Sequence, residues 1–157
     1  MTNNENAIDT SDREISTTRI FDAPRDLVFK VWTNPVDIVI WWGPNGFTNT
    51  NHAMDVRPGG VWRYTMHGPD GVDYANRIEY LEVKVPELLV YNHGDDEMNG
   101  AFHVTVTFED LGKQTRLTMK SVFRSKEERD EVIEKSGALE GLYQTLTRLS
   151  DYLVTKF

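Results

Sequence analysis

Cysteine is absent from the 157 residues. Its absence removes disulfides, thiolate metal sites and a cysteine nucleophile, and it suits a reducing cytoplasm, the expected location. No apolar run reaches the length of a membrane span, and no basic-then-apolar leader opens the chain. Positive charge is scarce: 17 Lys and Arg stand against 25 Asp and Glu, a formal net charge of −8. Nucleic acids and anionic membranes call for a basic face, so neither is expected as a partner. The phosphate-cradling patterns GxGxxG and GxxxxGK followed by Ser or Thr do not occur, which excludes a dinucleotide or P-loop mechanism. Ser11, Ser16, Ser121, Ser125, Ser136 and Ser150 all lie outside a GxSxG elbow, so no serine nucleophile can be named.

Metal-ligand spacing is missing as well. His52, His67, His93 and His103 are never two, three or four residues apart, the separations that put imidazoles on one face. They are expected to be solvated side chains on a sheet surface. His52 and His67 would meet across a hairpin only if its turn shifts the pairing by one, and Arg57 to Gly60 leaves that register open. The acidic stretch from His93 to Glu97 lacks the ligand order of a calcium loop and reads as a solvated turn. No metal and no cofactor is expected.

What is present is a dense middle. From Trp41 to Gly71, two alternating extended runs, Phe47 to Val56 and Val61 to His67, sit among three turns. Gly43-Pro44-Asn45-Gly46, Arg57-Pro58-Gly59-Gly60 and Gly68-Pro69-Asp70-Gly71 each combine a fixed proline φ with glycines. Such a pattern starts an antiparallel meander. Glu14 to Asp22 predicts a strand before it. Pro24 opens a helix carrying Leu27, Val28, Val31 and Trp32, and Asn34 caps a second, short helix through Trp42. Asp73 to Val85 predicts a long strand in which the apolar side changes parity near Tyr80, the mark of a β-bulge. Leu88 to His93 follows, and then two cleanly alternating strands, Phe102 to Phe108 and Leu117 to Phe123.

Ser125-Lys126-Glu127-Glu128 has the form of a capping box. The helix it starts meets Gly137 and Gly141, each costing about 1 kcal/mol against alanine in a helix interior, so a break or a close approach is expected. Leu139, Leu142, Tyr143, Leu146, Leu149 and Leu153 then form one apolar stripe. Met1 to Asp12 is polar and expected to be a flexible tail, with a single domain over 13–157. Helices segregated from a continuous antiparallel sheet predict an α+β fold, a bent sheet gripping the long C-terminal helix.

The chain resembles the SRPBCC superfamily of START and birch-pollen-allergen-like proteins, in particular the branch homologous to the C-terminal domain of the activator of the heat-shock-protein-90 ATPase. The resemblance rests on Phe21-Asp22-Ala23-Pro24, Trp41-Trp42-Gly43-Pro44, Gly46-Phe47-Thr48 and Asp55-Val56-Arg57-Pro58-Gly59-Gly60. It continues through Trp62-Arg63, Met66-His67-Gly68-Pro69-Asp70-Gly71, Val104-Thr105-Val106-Thr107-Phe108-Glu109, Gln144-Thr145-Leu146 and Arg148-Leu149. It spans roughly Arg13 to Val154. It implies a helix-grip fold: a curved antiparallel sheet around a long C-terminal α-helix, two short helices after the first strand, and a cavity between sheet and helix. Val36-Asp37-Ile38-Val39-Ile40 departs from the polar second helix of the branch.

Strand alternation meeting the helical stripe places Trp62, Tyr64, Met66, Phe102, Val106, Met119, Leu142, Tyr143 and Leu146 around one interior space. Residue types alone favour plain core over a cavity lining; the resemblance implies the cavity. Tyr64 and Tyr143 favour a cavity, because a buried phenol wants a hydrogen-bond partner that a ligand can supply. The expected function is binding of a small apolar or amphipathic molecule, with no assigned catalysis. Two alternatives are a cyclase- or hydrolase-like enzyme on an aromatic or polyketide-type substrate, and a protein-interaction module like the chaperone-activator homologue. A helix apolar on all sides also predicts a homodimer through Val36, Ile38, Val39 and Ile40.

Overall fold

Alternation in the middle of the chain becomes an uninterrupted meander. The structure, a computed structural model, describes residues 9–156. The elements are β1 (Glu14–Phe21), α1 (Arg25–Thr33), α2 (Pro35–Trp41), β2 (Thr48–Met54), β3 (Val61–His67), β4 (Asp73–Lys84), β5 (Leu88–Asp95), β6 (Phe102–Asp110), β7 (Thr115–Val122), α3 (Lys126–Ser136) and α4 (Ala138–Val154). All strand pairs are antiparallel, in the order β1-β7-β6-β5-β4-β3-β2. The chain thus crosses from one sheet edge to the other through α1 and α2, then returns strand by strand. This is the expected α+β helix-grip fold, with α4 packed on the curved sheet. Of the expected tail, residues 1–8 lie outside the described part, and Ser11–Arg13 forms a single 3-10 turn leading into β1.

Two bulges shape the sheet. Pairing of β4 with β5 shifts between Tyr80 and Glu82, which leaves Leu81 exposed while Ile78 and Tyr80 stay buried. This is the parity change seen in the sequence. The second shift falls between Asn51 and Ala53, so His52 is the extra residue of β2. His52 therefore bonds Thr65 Oγ1 at 2.7 Å, and His67 bonds Thr50 Oγ1 at 2.8 Å and Asp73 at 2.7 Å. The two imidazoles do not meet.

Asn34 caps α2 by accepting from the Val36 and Asp37 amides, with Pro35 as the first helical residue. The apolar ring of α2 is resolved differently from expectation. Ile38 and Trp41 are fully buried, and Asp37 is largely buried, its carboxylate accepting from the Tyr152 hydroxyl and lying 3.2 Å from Lys156 Nζ. Because α4 and the residue pair that follows it satisfy that carboxylate inside, the helix turns its one charge inward and leaves Val36 72% and Ile40 52% exposed. The expected dimer surface is corrected accordingly: Ile38 is core, and Val39 is partly buried against it.

Ser125 Oγ accepts from the Glu128 amide at 3.0 Å, one half of the capping box, while the Glu128 carboxylate pairs with Arg124. Gly137 takes a left-handed conformation (φ +62°), which a side chain disfavours, and it ends α3 and starts α4. The predicted interrupted helix is two helices.

Candidate functional site

The concave sheet face meets α4 at a partly open cavity of about 390 Å³. Its floor is built by period-2 alternation. His93 on β5 pairs with Phe102 on β6, and the next ring in the row is Phe123, just beyond β7. Ring centroids are 5.1 Å apart for His93 and Phe102, and 4.8 Å for the stacked Phe102 and Phe123. Met119 and Ser121 of β7, Ile15 of β1 and Met66 of β3 complete the floor. Gly141, Leu142, Thr145 and Leu146 of α4 form the roof. Trp32 of α1 and the segment Trp42-Gly43-Pro44 form the side wall.

That side wall is irregular backbone, and α4 holds it. Arg148 donates to the carbonyls of Gly43 at 2.8 Å, Pro44 at 3.0 Å and Trp42 at 3.2 Å through one nitrogen, and to Ile40 at 2.9 Å through the other. One turn earlier, Gln144 Oε1 accepts from the Asn45 amide at 3.0 Å. Burial pulls the Arg148 pKa down from its usual value. Gly141 brings α4 against this loop: a Cβ there would lie 3.2 Å from Pro44 Cγ. The expected close approach is therefore found at Gly141 and the break at Gly137.

Of the nine residues expected around the interior space, Met66, Phe102, Met119, Leu142 and Leu146 line the cavity. Trp62, Tyr64 and Val106 are buried beside it and support its wall. Tyr143 is 53% exposed and faces away. At 100° per residue the buried face of α4 is centred between Leu146 and Leu149 and extends toward Thr145, which places Tyr143 roughly 110° off it.

His93 corrects a second expectation, because it lines the cavity rather than the solvated surface. Leu89 and Tyr91, four and two residues before it, are both fully buried, so strand parity carried the signal. Its Nε2 lies 3.1 Å from both Tyr64 Oη and Asn76 Oδ1. Burial lowers its pKa to about 4, so the ring is neutral at pH 7. Burial raises the Tyr64 pKa, partly opposed by the Trp42 indole N–H that donates to its hydroxyl at 2.9 Å. Trp32, Trp42, Trp62 and Tyr64 form one contiguous aromatic cluster, with Trp62 and Tyr64 stacked at 4.1 Å. Among the described residues, no group of three His, Cys, Asp or Glu side chains is placed to hold a metal. The acidic loop is a turn, with Asp95 accepting from the Glu97 and Asn99 amides.

A seven-stranded antiparallel sheet closed over a C-terminal helix, with an apolar cavity between, defines a helix-grip protein. Residues 22–154 match the model of the family described as Activator of Hsp90 ATPase homolog 1-like protein, and the chain belongs to that family. Among solved structures it is similar to protein Ms6760 from Mycobacterium smegmatis (26% identity, 95% of this chain and 96% of that one, TM-score 0.84). It is also similar to a protein from Arthrobacter aurescens (28% identity, 94% and 90%, TM-score 0.86). A protein from Nitrosomonas europaea shares the fold at 23% identity (95% and 98%, TM-score 0.85). No curated protein matches the chain.

Proposed function

We propose that this protein binds one small apolar, ring-containing molecule in the cavity between the sheet and α4. One observation carries the reading: a space of about 390 Å³, walled by aromatic, aliphatic and thioether side chains, opens beside the hydrophobic core. Small-molecule sites have this character, and this one lies toward the small end of their volume range. A few polar atoms on an apolar wall orient a ligand, and His93 and Ser121 supply them here. The absence of cysteine fits a cytoplasmic setting for the same activity. Native mass spectrometry of protein purified from its own host tests the reading, because a retained ligand adds its mass directly. Tryptophan emission gives a second test, since Trp32 and Trp42 sit in the wall. Protein at its bare mass, with emission that does not respond to naphthalene, would overturn the proposal.

A further inference from the structure

Among the described residues, His93 is the one ionisable side chain on the cavity wall, and its neighbours decide which of its nitrogens carries the proton. Asn76 Nδ2 donates to the Tyr74 carbonyl at 3.0 Å, which fixes the orientation of the amide and turns Oδ1 toward the ring. An amide oxygen only accepts, so at 3.1 Å from Nε2 it requires a proton there. Tyr64 Oη, at the same distance, already accepts from the Trp42 indole and can share the Nε2 proton. A neutral imidazole protonated at Nε2 has a bare lone pair on Nδ1. Nδ1 has no partner among the described residues, and neither Asn76 nor Tyr64, the partners of Nε2, lines the cavity. Nδ1 is the polar atom the ring has left for an occupant.

We propose that the cavity selects apolar ring molecules bearing a hydroxyl, which donates its hydrogen bond to Nδ1 of His93. The inference rests on the ligand-binding reading above and narrows it to phenol- or alcohol-bearing ligands. An ether or a plain hydrocarbon of the same shape leaves Nδ1 desolvated and unpaired, and an unpaired buried acceptor is costly.

Three probes of one ring system separate the possibilities: 2-naphthol, 2-methoxynaphthalene and naphthalene, titrated by calorimetry at pH 7.5. Wild-type protein is expected to bind 2-naphthol about tenfold more tightly than the other two, the worth of one net hydrogen bond. In His93→Phe that preference disappears. Asn76→Leu leaves the cavity wall untouched but frees Nε2 to accept from Tyr64; Nδ1 then carries the proton, and the preference passes to 2-methoxynaphthalene. Imidazole 15N chemical shifts of His93 in the wild type report the tautomer without any ligand. Equal binding of all three probes, a naphthol preference that survives His93→Phe, or a proton found on Nδ1 would each overturn the hydroxyl inference while leaving the cavity reading intact. Failure of every probe to bind folded protein would overturn both.

Discussion

Arg148 gives its guanidinium to four backbone carbonyls and, among the described residues, pairs with no carboxylate. Three of those carbonyls, of Trp42, Gly43 and Pro44, belong to the cavity wall, so the residue sets the shape of the site without lining it. Replacing it with Met, which keeps much of the stem, should lower unfolding stability by about 2–3 kcal/mol, since charged hydrogen bonds are lost and the carbonyls lose their partner. Urea titration measures the loss, and an unchanged midpoint would show that water replaces the guanidinium at no cost. His93 gives a pH prediction. Its folded pKa, about 4, lies below the ordinary 6.5. Between those values the unfolded chain binds the extra proton, so stability is fully present above pH 6.5 and falls as pH drops toward 4. The loss should reach up to about 3 kcal/mol. Comparing wild type with His93→Gln at pH 5 and pH 7.5 isolates this contribution, which the variant should lack. The role of Arg148 was not legible in the sequence, and that of His93 only through strand parity. Arg148 reaches a loop more than a hundred positions away with no local periodicity to announce it, whereas His93 follows Leu89 and Tyr91 as the next inward residue of its strand.

At the scale of elements, legibility follows how much apolar pattern a segment carries. β6 and β7 alternate and were placed from the sequence alone. The β4 bulge was visible because Leu81 breaks a parity set by Ile78 and Tyr80. The β2 bulge was invisible, because Thr48 to Ala53 has no apolar face for an extra residue to disturb. Along α4 the stripe was legible but its centre was not. Tyr143 and Leu142 sit on either side of Leu146, and only packing shows that the sheet meets the Leu142 side. Gly141→Ala is the sharpest test of that packing. Helix propensity favours alanine by about 1 kcal/mol, but its methyl would meet Pro44 at 3.2 Å. Stability should change by less than about 1 kcal/mol, while affinity for 2-naphthol falls because the methyl narrows the cavity between roof and side wall. Denaturant and calorimetric titrations of the one variant read both effects; unchanged affinity would place the occupant away from this contact.

For the whole molecule, association and assembly order follow from what remains exposed and what pairs across the chain. A dimer through α2 now rests on Val36 and Ile40 as its only largely exposed apolar side chains. Two aliphatic side chains cover far less than the roughly 800 Å² per partner of a stable interface. Light scattering at tens of micromolar should therefore return a monomer mass, unchanged by Val36→Glu with Ile40→Glu. A wild-type dimer that this pair dissociates would restore α2 as an interface. The edge position of β1 bears on how the sheet is assembled in time. Every other strand pairs with its neighbour in sequence, whereas Phe21 must find Thr115. Loop closure costs about 0.6 kcal/mol more for each doubling of length, so the local hairpins are expected to close first and β1 to dock onto a sheet already formed. Mutations in β1, such as Ile15→Ala, should then speed unfolding with little effect on the folding rate, and β1 amides should exchange with solvent before those of β6. Ile15 also belongs to the cavity floor. The last strand to join the sheet would thus complete the floor of the site, and the chain is expected to gain its binding capacity only once β1 has docked.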